Sequence, residues 1–306
     1  MPAASVGLTA ASVGCSKGAI SVTSLGAGVI LRDATLREGP DVPGVSLSVE
    51  QKVEIAESLA MAGVPEAEVV APDRVFDDLR FVGTLTRRGM GIKTSGLIYA
   101  ASPTAMEEME AAAELLDRFD LLMSLAEQQP PLGGSQKVTT LLRVLERSRS
   151  LSAEVGVGFP YAIQASPLFL LEITRLAVKA GASRVTFYDT NGSAEPFALQ
   201  ALLSELVAEV KVPVFFHGYN DLGLALANSW AAVLAGVRGL GVSSTGLGHR
   251  AGNACLEQVA VLLEKKKIPT GVRLVELRNL ARLVARHSGV ALSRLAPIVG
   301  EHVVQH

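Results

Sequence analysis

Val29-Ile30-Leu31-Arg32-Asp33-Ala34-Thr35-Leu36-Arg37-Glu38-Gly39 joins three consecutive apolar residues to two guanidiniums and two carboxylates. An uninterrupted apolar run is the pattern of a strand buried on both faces, as a parallel sheet requires. Such a strand rarely ends in clustered charge unless side chains gather there for chemistry. Arg32 and Arg37 can fork onto carboxylates or enolates, and Asp33 and Glu38 are hard oxygen ligands for a divalent cation. The bland alternative is a solvated surface cluster.

Working outward, seven more apolar runs follow, so that the strand-like segments are 28–33, 67–71, 94–99, 121–124, 155–159, 184–188, 214–217 and 239–243. Helical periodicity fills 49–62, 105–117, 138–150, 168–180, 196–210, 222–234 and 253–265. Eight strands, nearly all followed by a helix, predict a single (β/α)8 TIM barrel with a short C-terminal helical tail. An open doubly wound sheet is disfavoured, because no G-x-G-x-x-G follows the first strand. The chain divides into an irregular leader at 1–27, a catalytic barrel at 28–267, and a helix with a linker-like tail at 268–306.

With 306 residues, 49% of them hydrophobic, the chain can bury a large core. A net charge of -2 offers no electrostatic case for nucleic acid or an anionic membrane. No apolar stretch approaches the ~18 residues of a membrane span, and the leader makes a poor signal peptide. Cys15 and Cys255 are too few for a disulfide framework, so two free thiols in the cytoplasm are expected.

In a barrel, the C-terminal strand ends converge on one mouth. Arg32 and Asp33 are expected there from the first strand, Glu68 from the second, and Asp189, Thr190 and Asn191 from the sixth. The seventh supplies His217-Gly218-Tyr219-Asn220-Asp221, and the eighth leads into Gly246-Leu247-Gly248-His249-Arg250-Ala251-Gly252-Asn253. Asp33, His217 and Asn253 could share one cation through two oxygens and a nitrogen. The Gly-rich loop could hold an anion on its backbone N–H groups, or be a tight turn. A lone His at a strand end is otherwise a hydrogen-bonded core residue.

Together these segments resemble the metal-dependent Claisen-condensation barrels: isopropylmalate, homocitrate and citramalate synthases, with hydroxymethylglutaryl-CoA lyase as a cousin. Residues 32–39 match R-D-x-T-L-R-[DE]-G, and 217–228 match H-x-H-N-D-x-G-x-A-x-A-N at all but one position. Residues 246–257 match G-L-G-E-R-A-G-N-A-x-L-E except at His249, and Pro43-Gly44-Val45-Ser46-Leu47-Ser48 and Ala296-Pro297-Ile298-Val299-Gly300 are also synthase-like. The resemblance implies Asp33, His217 and Asn253 as ligands of a divalent metal (Mg²⁺, Mn²⁺ or Zn²⁺). It implies Arg32 as the electrostatic catalyst, Glu38 as an acid at the substrate end, and Arg32, Glu68 and Thr190 as contacts of the 2-oxo acid. The implied reaction adds the enolate of acetyl-CoA to a 2-oxo acid and then hydrolyses the thioester, in a homodimer.

The departures fall on the chemistry. Tyr219 stands where the family has its second metal His, and His249 where it has an acid. Tyr219 or His249 is therefore the candidate for the missing ligand, with His249 offering the replacement imidazole. Pro40-Asp41 replaces E-Q, Pro160-Tyr161-Ala162-Ile163-Gln164 lacks the usual acidic run, and Ser124-Leu125-Ala126-Glu127-Gln128-Gln129 lacks a nearby His. The chain stops at His306, where synthases continue, which suggests a partner chain supplying that region. A metal-dependent carbon–carbon lyase or aldolase, and a non-catalytic paralogue that binds a ligand or a synthase subunit, are the alternatives. The Cys-bearing loop of the thioester lyases is missing, Cys255 being read as helical.

Overall fold

Because the apolar runs must be covered on both faces, they pair side by side in parallel, and the last returns to the first. The computed structural model describes residues 28–89, 91–126 and 135–303. Strands β1 (Ile30–Asp33), β2 (Glu66–Val70), β3 (Lys93–Tyr99), β4 (Arg118–Leu122), β5 (Glu154–Phe159), β6 (Val185–Asp189), β7 (Val214–Gly218) and β8 (Gly239–Val242) form a closed barrel in chain order. The seam is the parallel pair β1–β8, in register from Ile30↔Gly239 to Asp33↔Val242. The fold is the (β/α)8 barrel that the apolar runs predict.

Around it lie α1 (Thr35–Glu38), α2 (Val49–Met61), α3 (Val75–Arg88), α4 (Ala105–Leu115), α5 (Gln136–Ser148), α6 (Pro167–Ala180), α7 (Pro196–Glu209), α8 (Ala225–Leu234), α9 (Leu256–Lys265) and α10 (Leu277–Ser288). Local chemistry sets several boundaries. Ser48 opens α2 with a capping box, its hydroxyl accepting from Gln51 N while the Gln51 side chain accepts from Ser48 N. Gly89 closes α3 in the left-handed region at φ 61°. Buried Phe119, Phe159, Phe187 and Phe216 anchor the strands within one hydrophobic core.

Three features depart from the sequence reading. The helix α3 was not predicted: Asp77, Asp78, Arg80, Gly83 and Arg87 interrupt its apolar positions, yet Val75, Leu79, Val82 and Leu85 recur at helical spacing and are buried. Strands β2 and β4 begin earlier than their apolar runs, at Glu66 and Arg118, because Glu66, Arg118 and Asp120 are charged but face the lumen. Cys255 stands one residue ahead of α9, not within a helix. The leader at 1–27, with Cys15, and Glu127, Gln128, Gln129 and His306 lie outside the described residues. No described helix is long and apolar enough to cross a membrane.

Candidate active site at the barrel mouth

The lumen is charged, unlike the branched aliphatic layers that usually fill such barrels. Successive strand residues point to opposite faces, so Glu66 and Glu68, Arg118 and Asp120, and Arg184 and Thr186 all enter the interior. There they form one alternating chain of ion pairs. Arg118 meets Glu66 at 2.9 Å, Glu66 meets Arg184 at 2.9 Å, Arg184 meets Asp120 at 2.7 Å, and Asp120 meets Arg32 at 2.7 Å. Arg32 then meets Glu68 at 3.0 Å, Glu68 meets Arg37 at 2.6 Å, and Arg37 meets Glu38 at 2.7 Å. Four guanidiniums therefore alternate with four carboxylates, from the strand starts to the mouth, with no net charge.

Neighbouring groups hold the chain in place. Thr186 accepts from Arg32 Nη2 at 3.2 Å and donates to Asp120 at 2.8 Å. Arg32 and Arg184 lie against the Phe215 ring, 5.1 and 5.3 Å from its centroid. Gly156 is required by close approach, since a Cβ there would lie 2.2 Å from Asp120 Oδ1. Burial pushes the Asp120 carboxyl up, but Arg184 and Arg32 outweigh it and bring it down to about 2. For Glu68 burial is likewise overcome by Arg32 and Arg37, which hold it below its usual value.

At the mouth the convergence centre is Glu38, carried over the opening by the single turn of α1. Its Oε1 accepts from Arg37 Nη2 at 2.7 Å and from Tyr219 Oη at 2.9 Å, with His217 Nε2 at 3.2 Å. Its Oε2 accepts from Asn253 Nδ2 at 3.0 Å and His249 N at 3.3 Å. Burial alone would raise the Glu38 carboxyl, but Arg37 and the bonds from His217 and His249 hold it well below the carboxylate range. Burial and the facing Glu38 charge push the Tyr219 phenol well above its ordinary value, so it remains a protonated donor. Arg250 covers the other side of the Tyr219 ring at 4.9 Å and is itself held by Asp221 at 2.7 Å.

Asp33 does not take the place the sequence reading assigns to it. With Arg32 turned into the lumen, Asp33 points to the opposite face, where its Oδ1 accepts from Thr35 N at 2.9 Å and its buried Oδ2 has no partner among the described residues. The carboxylate that meets His217 and Asn253 is Glu38. Thr190 is also apart from this cluster. Its hydroxyl accepts from Tyr161 N at 2.8 Å and its carbonyl from Arg250 at 2.6 Å, tying together the loops after β5, β6 and β8. Glu68 serves the ion-pair chain. In the loop after β8 the N–H groups of Gly246, Leu247, His249, Gly252 and Asn253 are bonded within the protein, as in a tight turn. The signal that could have found the lumen chain is the pairing of polar residues two apart, as in Glu66-Ala67-Glu68 and Arg118-Phe119-Asp120.

The buried Asp33 predicts a pH effect. Burial, only partly offset by the Thr35 bonds, raises its carboxyl to about 7. Between the ordinary carboxylate value of roughly 3.9 and that point the folded state binds the extra proton. Its stabilising contribution is thus complete at the acid end and lost as pH rises through about 7. Asp33→Asn, which keeps an oxygen for Thr35, should flatten the pH dependence of urea-unfolding stability across this window. Parallel wild-type and variant curves would contradict the assignment.

A divalent metal, implied by the resemblance, does not fit the residues as they stand. Both Glu38 oxygens are occupied by donors. The Asn253 amide nitrogen faces Glu38 Oε2 and Leu247 O, which turns its oxygen to His217 Nε2 at 3.1 Å. Nε2 therefore carries hydrogen toward two acceptors. His217 Nδ1 is buried without a partner and packed on Gly241, where a Cβ would lie only 2.2 Å from it. The third position is a protonated phenol. His249 Nδ1 stays 3.7 Å from both Glu38 and Asp41 on a half-exposed side chain. Among the described residues no three His, Cys, Asp or Glu side chains are arranged to hold a metal.

The HMGL-like family model matches residues 28–284. The chain is 33% identical over 297 residues to a 2-isopropylmalate synthase of Methylacidiphilum infernorum, an alignment covering 91% of this chain and 58% of the synthase. It is 31% identical over 284 residues to homocitrate synthase 1 of Nostoc, covering 91% of this chain and 74% of that protein. Hydroxymethylglutaryl-CoA lyase from Pseudomonas aeruginosa shares the fold, with a TM-score of 0.72 at 21% identity over 86% of this chain and 94% of the lyase. The chain spans little more than half the length of the isopropylmalate synthase it matches. From its motifs, its closed barrel and a match over most of its length, the chain belongs to the HMGL-like family.

Proposed function

We propose that this barrel binds a 2-oxo acid at its mouth through Arg37 and condenses it with the enolate of an acetyl thioester, as an acyltransferase. The observation that carries the reading is the state of Arg37. Its Nε and Nη2 are fixed by Glu68 and Glu38, while Nη1 has no hydrogen bond to a described residue, and the side chain is 6% exposed. A guanidinium anchored on two sides with one nitrogen left without a hydrogen bond is preorganised for the oxygen on which charge develops. The half-exposed His249 lies beside it, and the neighbouring Glu38 carboxylate, opposed by burial, raises its pKa. It is placed to give a proton to the alkoxide formed when the new carbon–carbon bond closes. A cavity of about 440 Å³ on the same rim, lined by Tyr99, Pro103, Leu122, Met123 and Ser124, offers room for the thioester arm.

A second reading, a non-catalytic binding subunit, is favoured by one observation: every acceptor of Glu38 is already engaged. One experiment separates the two. The purified chain is incubated with acetyl-CoA and a panel of 2-oxo acids while free thiol is followed. Thiol release that depends on the 2-oxo acid supports the acyltransferase. Saturable 2-oxo acid binding without thiol release supports the binding subunit, and no binding of any 2-oxo acid overturns both. Localisation in the cytoplasm and a homodimer complete the proposal.

A further inference from the structure

We infer that Tyr219 has taken over the cation's place at this mouth, its hydroxyl and the Arg37 guanidinium together holding Glu38 in a closed centre that excludes a divalent ion. The inference concerns the site's own composition and stands whether or not the barrel condenses 2-oxo acids.

Three independent observations carry it. First, the Tyr219 hydroxyl sits 2.9 Å from Glu38 Oε1, and its ring lies 5.1 Å from the His217 ring, so the phenol flanks the carboxylate and the imidazole, which themselves meet at 3.2 Å. An isolated backbone bridge between Tyr219 and Asn253 fixes it there, with Arg250 stacked outside. Second, the lumen is electrically complete. Arg118, Arg184, Arg32 and Arg37 are matched by Glu66, Asp120, Glu68 and Glu38, each buried and each in an ion pair of that chain. A divalent ion would add two positive charges to a series of eight groups in which every carboxylate is already paired, the unpartnered Asp33 Oδ2 lying on the opposite face of β1, and an uncompensated buried charge is strongly unfavourable. Third, His217 Nε2 is committed to Asn253 and Glu38. Substituting an imidazole for the phenol would remove a donor from Glu38 and present a lone pair on the same ground.

The test is titration calorimetry and elemental analysis of the full chain with Mg²⁺, Mn²⁺ and Zn²⁺, each with and without pyruvate as a probe anion. The wild type is expected to bind none of them stoichiometrically. Tyr219→His is expected to gain affinity by at least about 100-fold, the upper end of what even an outer-sphere partner contributes to a metal site. Tyr219→Phe, which removes the proton but adds no ligand, is expected to stay without metal, and circular dichroism establishes that each variant folds. Stoichiometric binding by the wild type in either condition, lost in Glu38→Gln, would overturn the inference. So would a folded Tyr219→His that gains nothing. Neither result bears on 2-oxo acid binding through Arg37, so the two proposals fail separately.

Discussion

Arg32→Met should lower the free energy of unfolding by about 3–5 kcal/mol, the range for removing one partner of a buried ion pair. Arg32 is fully buried and bridges Asp120 and Glu68, so its loss leaves two carboxylates facing each other across the lumen without the charge between them. Methionine fills much of the volume, which separates the electrostatic loss from a cavity effect. The contribution of this arginine is the difference between a chain of closed charges and an open one, because its own burial is costly and is offset only by its partners. Urea unfolding followed by circular dichroism measures it, with an unchanged m value as the sign that the unfolded reference is the same. The comparison is Arg175→Ala on the surface, whose pair with Glu209 is half exposed and should contribute at most about 1 kcal/mol. A change for Arg32→Met no larger than for Arg175→Ala would mean that the lumen charges do not act as a connected unit.

Arg37→Ala should reduce kcat/KM for the proposed condensation by roughly 100- to 1000-fold, the effect of deleting one donor from a preorganised oxyanion site. The loss falls chiefly on kcat if Nη1 addresses charge that develops during reaction, and on KM if it grips the carboxylate already present in the 2-oxo acid. Arg37→Lys keeps the charge but cannot fork between Glu68 and Glu38, so it should recover only part of the activity. Where the barrel proves to be a binding subunit, the same variants read out as weakened 2-oxo acid affinity. An Arg37→Ala protein that folds and retains both affinity and turnover within twofold would remove Arg37 from the site.

The sequence carries this mouth only in part, and the reason is geometric. Arg32-Asp33 and Arg37-Glu38 are two guanidinium–carboxylate pairs five residues apart, and residue type alone does not say which pair is lifted over the opening. Strand alternation separates Arg32 from Asp33, since one of them must leave the lumen, whereas the turn of α1 brings Arg37 and Glu38 together on one rim. His217 and Asn253 were legible from their positions after β7 and β8, and their meeting at 3.1 Å follows from the barrel. Tyr219 and His249 stood out as departures, but their effect on the metal depended on where the Tyr219 hydroxyl points.

By itself the sequence determined the barrel: apolar runs covered on both faces demand a parallel sheet, and eight of them with intervening helices close on themselves. It determined the family as well, through ordered motifs that survive independently of any distance. Only the tertiary structure decided the chemistry of the mouth. The chain of ion pairs from Arg118 to Glu38 links residues up to 118 positions apart, as between Glu66 and Arg184. Their charges cancel only when closure brings side chains from β1, β2, β4, the start of β6 and α1 into one lumen. Whether a carboxylate there awaits a cation or is already satisfied is a question of which donors lie within about 3 Å. That is a property of the packed interior and not of any local stretch.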